Sequence, residues 1–173
     1  MHMFTSADFT ATYNSGNFPL QILPSDRIHY GLSVQSPLRN IELFALDCVS
    51  TPTMDPDASP KVTIIQDGCD IDPTLTRDST RSTDMALYFS IQAFTFPDSV
   101  DSNLVYLHCT MVVCLKDDLN SRCREGCISA RRRRDVGGDD RFRRDSSNDL
   151  QESVTQGPFR ILSDQVAVLS YIA

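Results

Sequence analysis

The sequence predicts an all-β protein folded as an antiparallel β-sandwich. Apolar residues recur at every second position in several short stretches, clusters of Gly, Pro, Asp and Ser separate those stretches, and no segment shows convincing helical periodicity. Regularly spaced strands with turn residues between them are typical of a sandwich. With 173 residues, of which 40% are hydrophobic and 23% charged, the chain is long enough to form one domain with a real core.

Three strands are predicted in the first third of the chain, at residues 8–13, 27–35 and 41–48. Each alternates apolar and polar side chains, the pattern of a half-buried strand. Their expected apolar faces are Phe9, Ala11 and Tyr13 in the first, Ile28, Tyr30, Leu32 and Val34 in the second, and Phe44, Leu46 and Cys48 in the third.

Further strands are predicted at residues 61–66, 87–96 and 104–115. The last is the most informative, because all six of its odd-numbered residues are apolar and its even-numbered residues are more polar. Cys109 should therefore point into the core and Cys114 outward. Five residues of strand separate these two by about 16 Å, so they cannot bond to each other.

The six cysteines suggest three disulfides and an oxidising compartment. Six cysteines allow 15 pairings, and excluding Cys109–Cys114 leaves about 12. A buried bridge from Cys48 to Cys109 across the sandwich is the first choice, and Cys114 should find a partner on the outer side, where Cys123 is nearest in sequence. Zinc binding and free thiols are the alternatives, but the chain has no Cys-x-x-Cys knuckle.

The net charge of −7 argues against a general nucleic-acid-binding surface. No run of about 18 apolar residues is present, so no membrane span is expected. The N-terminus lacks the layout of a signal peptide, and we expect it to be a cut start.

An enzymatic function is not expected. His108 and Ser90 are present without a nucleophile motif such as Gly-x-Ser-x-Gly, and we expect His108 on a strand surface near the Cys114 bridge. Residues 55–60 lack the Gly and terminal Glu of a calcium loop, and no metal or cofactor is expected.

The composition changes after Ser121. Residues 129–156 hold few apolar side chains and two basic clusters, and we expect an exposed, mobile loop there. The chain then turns apolar again, with Phe159 alternating with Ile161 and a β-prone run that includes Val166 and Val168. An apolar strand after a solvated loop must dock or aggregate.

These residues together resemble a known family. The segment Cys48–Cys69 ending in "IIQDGC", "TRDST" at 76–80, "FSIQAF" at 89–94, "LVYLHC" at 104–109, the Cys123-x-x-x-Cys127 spacing, the basic clusters and "GPFRI" at 157–161 are similar to the C-terminal half (ZP-C) of a zona pellucida module, close to its uromodulin-like branch. The resemblance covers nearly the whole chain.

The resemblance implies an immunoglobulin-like sandwich with three disulfides, Cys48–Cys109, Cys69–Cys127 and Cys114–Cys123. It also implies four regions: 1–8 as the end of an interdomain linker, 9–128 as the ZP-C sandwich, 129–156 as a flexible basic cleavage loop, and 157–173 as a propeptide strand. In a chain-entropy model, the Cys48–Cys109 bridge contributes about 4 kcal/mol.

The family carries a furin-type cleavage site before a C-terminal propeptide. Two stretches of this chain fit the pattern Arg-x-Lys/Arg-Arg, and arginine suits the acidic pockets of such a protease because a guanidinium pairs with carboxylates. The first stretch is Arg131, Arg132, Arg133 and Arg134, and the second contains Arg141, Arg143 and Arg144. A nuclear-localisation run or a solvated charged face is the alternative interpretation of either cluster.

The strand after the basic loop corresponds to the family's external hydrophobic patch, which completes the ZP-C sheet and blocks premature assembly. The residues expected to form this lock are Gly157, Pro158, Phe159, Ile161, Val166 and Val168.

The function that follows is a structural subunit of an extracellular filament or matrix, which is held inactive by its propeptide until a furin-like protease cleaves it. Its expected partners are other ZP-module subunits, and its precursor is expected to be membrane-anchored beyond residue 173. The alternative is a growth-factor-binding ZP-C module of a betaglycan-like co-receptor, and processing discriminates between the two.

Overall fold

The computed structural model describes residues 1–96, 103–129 and 149–162. Ten strands and two single-turn helices are found in these residues, and the strands form two sheets that pack face to face. In chain order the strands are β1 (His2–Phe4), β2 (Leu20–Ile22), β3 (Arg27–Ser33), β4 (Ile41–Thr51), β5 (Val62–Gln66), β6 (Cys69–Asp70), β7 (Thr76–Arg77), β8 (Ala86–Gln92), β9 (Leu104–Leu115) and β10 (Leu150–Ile161). The helices are a 3₁₀ turn at Ser15–Asn17 and α1 at Arg122–Glu125.

The first sheet has the order β1-β3-β8-β7, and the second has the order β2-β10-β9-β4-β5-β6. Between these strands, every described pairing is antiparallel except that of β2 with β10, which is parallel. The prediction of an all-β sandwich with three disulfides is therefore confirmed.

The core lies between the two sheets. Tyr30 and Phe89 stack in the first sheet with ring centroids 5.5 Å apart, and Leu107, Phe159 and Ile161 face them from the second. All five side chains are fully or almost fully buried. Alternation along β3, β8 and β9 produces this core, because every second side chain of a strand points to the same face.

Strand β9 has the predicted bounds. Its odd-numbered residues from Val105 to Met111 are buried in the core, whereas Val113 is half-buried and Leu115 exposed at the end of the strand.

The predicted face of β4 is wrong in part. Leu43 and Ala45 enter the core together with Cys48, whereas Phe44 and Leu46 are only half-buried. A register shift between Ala45 and Asp47 explains the difference, because one extra residue in a β-bulge reverses the faces on either side of it. Alternation alone does not reveal such a bulge.

The predicted strand at residues 8–13 is also wrong. Only an isolated bridge between Phe4 and Thr12 forms there, and Phe9 has a positive φ of 52°. The Phe9 ring instead packs against Phe4, His29 and Tyr88 on the first sheet, whereas Tyr13 packs against the core.

Two boundaries differ from the expected regions. Strand β1 lies within residues 1–8, the expected linker end, and pairs with β3, where Met3 lies opposite Tyr30. Strand β10 starts at Leu150, seven residues before Gly157, because backbone pairing with β9 extends into polar sequence.

Candidate functional site

The C-terminal strand β10 is the centre of the candidate site. It runs antiparallel to β9 from the pair Leu150–Val113 to the pair Arg160–Leu104. On its other side, Phe159–Ile161 pairs in parallel with β2. Strand β10 therefore covers an edge of β9 that would otherwise expose unpaired backbone groups.

The anchoring side chains are concentrated in the second half of β10. Phe159 and Ile161 are 1% and 0% exposed, whereas Leu150 is 59% exposed. In the first half only Val154 packs against the core, and it does so partly. Burying a side chain of the size of Phe or Ile contributes about 1.5–3 kcal/mol. Phe159 and Ile161 therefore supply most of the hydrophobic stabilisation of this strand.

Gly157 lies at an irregularity in the strand, where the register shifts between Gln156 and Phe159. Its φ is +139°, and a Cβ at this position would lie 3.0 Å from the Tyr106 ring and 3.0 Å from the Val105 carbonyl oxygen. A side chain therefore fits neither the backbone conformation nor the space. Pro158 follows within the irregularity, where a missing N–H is tolerated.

His108 joins β10 to β4 through two hydroxyl groups. Thr51 Oγ1 donates to the Thr53 carbonyl at 2.7 Å, so it accepts from His108 Nε2–H, also at 2.7 Å. His108 Nδ1 then accepts from the Thr155 hydroxyl at 2.9 Å. The neutral imidazole thus connects three neighbouring strands of the second sheet.

The surroundings of His108 favour its neutral form. Burial lowers the pKa of the imidazole below its ordinary value, and the Thr53 carbonyl and the Asp55 carboxylate oppose this only in part. The expectation that His108 lies on a strand surface near the Cys114 bridge is wrong, because the side chain is buried and Cys114 lies six residues along the strand. The sequence alone did not predict that Thr51 and Thr155 contact the same histidine.

Hydrogen bonds connect both ends of β10 to the rest of the sandwich. At its start, Asp149 Oδ2 accepts a hydrogen bond from the Arg122 backbone N–H at 2.9 Å. At its end, the Leu162 N–H donates to the Ile22 carbonyl at 2.9 Å. The strand is therefore held along its length and at both termini.

The three disulfides are Cys48–Cys109, Cys69–Cys127 and Cys114–Cys123, the pairs that the family resemblance implies. Cys48 and Cys109 are direct register partners on β4 and β9, with Cα atoms 4.1 Å apart. This bridge links neighbours in one sheet, and the expectation that it crosses the sandwich is wrong. The bulge in β4 turns Cys48 toward its neighbour.

The other two bridges fasten the segment that contains α1 over the outer side of the second sheet. Cys114 is bonded to Cys123 at the start of this segment, the outer-side partner that was expected, and it is only 1% exposed. Arg122 lies over the Phe44 ring at 5.0 Å and donates to the carbonyls of Gly126 and Asp67. The same segment supplies the N–H that holds Asp149.

A separate cleft of about 270 Å³ lies on the first sheet, beside the 76–80 turn. Phe9 and His29 line it, and burial lowers the pKa of His29. Asp78, which also lines the cleft, accepts hydrogen bonds from the side chains of Thr80 and Arg81, which hold the pKa of its carboxyl at about 2. The hydrogen bonds of this carboxylate come from its own turn, as is typical of a structural turn.

Several residues of the expected site lie outside the described residues. They are the basic residues Arg131, Arg132, Arg133, Arg134, Arg141, Arg143 and Arg144, and the lock residues Val166 and Val168. Gly157, Pro158, Phe159 and Ile161 are all in β10.

Within the described ranges, no three His, Cys, Asp or Glu side chains converge as they do in a metal site. None of the described helices has the length and apolar character needed to cross a bilayer.

Residues 1–124 match the ZP-C domain model of the zona pellucida family. The human CUB and zona pellucida-like domain-containing protein 1 is 30% identical over 172 residues, which cover 96% of this chain and 25% of the relative. The rat protein of the same name is 34% identical, covering 73% of this chain and 21% of the relative. Rat uromodulin is 29% identical, covering 77% of this chain and 20% of the relative. The chain thus spans a fifth to a quarter of the length of these relatives.

Proposed function

The chain belongs to the zona pellucida family, of which it carries the ZP-C domain, and we propose that it is a structural subunit of an extracellular filament or matrix. In this proposal β10 blocks assembly until a furin-type protease cuts the chain before it. The zona pellucida-like proteins and uromodulin among its relatives support the structural role.

The observation that carries the proposal is the position of β10 in the sheet. It follows both basic clusters in sequence, and it covers the edge of β9 with an antiparallel ladder that shifts register between Gln156 and Phe159. A strand in this position competes with any incoming strand for the same backbone groups. The contacts of Phe159, Ile161 and Asp149 oppose its loss.

Cleavage changes this competition without changing any contact in the sheet. While the chain is continuous, the local concentration of β10 at its own groove is high, about millimolar for a short flexible linker. After a cut at residues 131–134 or 141–144, the strand becomes a separate molecule that can diffuse away. A strand from a neighbouring subunit can then pair with β9 by β-augmentation.

The test is mutation of both basic clusters in the full-length precursor. Replacing Arg131, Arg132, Arg133, Arg134, Arg141, Arg143 and Arg144 with Ala should leave the C-terminal peptide attached and abolish filaments, as measured by mass spectrometry and electron microscopy of the secreted protein.

The matched control is the pair Arg133→Lys and Arg143→Lys, which changes residues in both clusters but keeps the pattern Arg-x-Lys-Arg in each. This variant should be processed and should assemble normally. Normal filaments from the uncleaved alanine variant would refute the proposal, and processed protein that stays monomeric would favour a ligand-binding module.

A further inference from the structure

The loop that joins β4 to β5 is rich in proline and in hydroxyl-bearing residues. Residues 51–60 read Thr-Pro-Thr-Met-Asp-Pro-Asp-Ala-Ser-Pro and contain three of the nine prolines of the chain. Pro52 directly precedes Thr53, and Pro56 follows it three positions later. Segments that combine Ser or Thr with Pro are typical acceptors of O-linked sugars in secreted proteins. The loop therefore has the composition of an acceptor segment.

This loop projects beyond the end of the second sheet. Strands β4 and β5 are antiparallel neighbours, and the pair nearest to the loop is Ser50 with Val62. The side chains of residues 53–57 are all exposed, and that of Met54 is 71% exposed. An enzyme can therefore reach this segment in the folded protein.

The hydroxyl group of Thr53 is free to be modified. Its Oγ1 accepts a hydrogen bond from the Asp55 backbone N–H at 3.2 Å and donates to no acceptor among the described residues. A glycosidic oxygen keeps a lone pair that can accept the same bond. Attachment of a sugar to Thr53 therefore breaks no hydrogen bond that the folded loop makes.

Two other threonines of the described ranges lie next to a proline, and both differ from Thr53. Thr51 is 0% exposed, and its hydroxyl donates to the Thr53 carbonyl at 2.7 Å. Thr74 is half-buried, and its hydroxyl donates to Asp72 Oδ1 at 2.6 Å. A sugar on either of them would break a hydrogen bond, so the structure leaves Thr53 as the accessible acceptor.

The two flanking prolines also suit the way in which an enzyme binds an acceptor segment. Proline fixes its own φ near −65° and favours an extended conformation for the residue before it. Extended segments that contain proline bind in grooves lined by aromatic side chains. A transferase that binds Pro52 and Pro56 in such a groove holds Thr53 between them.

We propose that Thr53 is an O-glycosylation site, whose first sugar is an N-acetylhexosamine from a nucleotide-activated donor. Thr53 Oγ1 forms a bond to the anomeric carbon, the bond from that carbon to the diphosphate breaks, and the departing diphosphate takes up the hydroxyl proton. The three disulfides form in the secretory pathway, where glycosyltransferases of this class act. The chain has no Asn-x-Ser/Thr sequence, so a sugar on it must be O-linked. The inference does not depend on the release of β10.

The test is glycopeptide mass spectrometry of the full-length protein secreted from animal cells, with fragmentation that leaves the sugar on its residue. We expect an N-acetylhexosamine on Thr53 in the unmodified sequence and none on this loop in Thr53→Ala. The matched control is Ser59→Ala, which removes another exposed hydroxyl beside a proline in the same loop and should keep the sugar on Thr53.

A second variant, Pro56→Ala, leaves the hydroxyl of Thr53 in place and removes the later of the two flanking prolines. The fraction of secreted chains that carry the sugar should fall at least about threefold in this variant. An unmodified Thr53 in the secreted protein would overturn the inference. A sugar that remains on the loop of Thr53→Ala, or one that is equally abundant in Pro56→Ala, would also contradict it.

Discussion

At the scale of single residues, His108 is the most informative side chain, because it connects β10 to the rest of the second sheet. Its two ring nitrogens contact hydroxyl groups on β4 and β10, and neither Thr51 nor Thr155 carries a charge that could stabilise an imidazolium. The charged group that acts on it is Asp55, whose influence is smaller than that of burial. Protonation of His108 should therefore destabilise the docked state, in which β10 is paired with β9.

The resulting prediction concerns pH. The pKa of His108 in the docked state is below its ordinary value of 6.5, and it should return toward that value once β10 leaves and water reaches the ring. The released state then binds the proton more readily. The stabilisation of the docked strand is complete above about pH 6.5 and decreases as the pH falls below that value.

The measurement is the rate at which a cleaved chain loses its C-terminal peptide at about pH 5.5 and about pH 7.5. We expect faster loss at the lower pH. The variant His108→Gln keeps a donor and an acceptor but does not titrate, so its release should depend much less on pH. Equal pH dependence in both proteins would assign the effect to other groups, such as His29.

At the scale of elements, β10 combines a polar half that pairs through its backbone with an apolar half that packs in the core. The sequence predicted the apolar half, because Phe159 and Ile161 lie on either side of the polar Arg160 and follow a Gly-Pro pair. It did not predict that the strand starts at Leu150, because residues 150–156 have the composition of a solvated loop. They are held by backbone pairing with β9, which no sequence pattern indicates. The same limit explains the errors in β4, where a bulge reverses the face, and at residues 8–13, where Phe9 joins an aromatic cluster instead of a strand.

The prediction for this element compares two apolar truncations in the same strand. Phe159→Ala should reduce the free energy of unfolding by about 3–5 kcal/mol, because it opens a cavity between the sheets. Leu150→Ala should change it by less than about 0.5 kcal/mol, because the Leu150 side chain is mostly exposed. Denaturant unfolding of the uncut protein measures both, and equal effects would contradict the division of the strand into two halves.

At the scale of the whole molecule, the described residues form two sheets with three disulfides and one shared core, and β10 is held in this sandwich by non-covalent contacts. The disulfides join strands and loops that precede residue 128, and none of them includes β10. The sandwich can thus keep its covalent framework when β10 departs. Strand alternation favoured Cys48–Cys109 and Cys114–Cys123, whereas Cys69–Cys127 followed only from the family resemblance. The parallel pairing of β2 with β10 brings together segments about 140 residues apart, which no local pattern indicates.

The most direct test of the central claim is hydrogen–deuterium exchange of the β9 amides that face β10, before and after cleavage of the basic loop in the full-length protein. In the uncut chain we expect these amides to be protected, and after loss of the C-terminal peptide those from Leu107 to Val113 should exchange at least about tenfold faster, while the amides between β4 and β5 stay protected. Unprotected β9 amides in the uncut chain, or unchanged protection after the peptide has been lost, would contradict the claim that β10 is the removable cover of this edge.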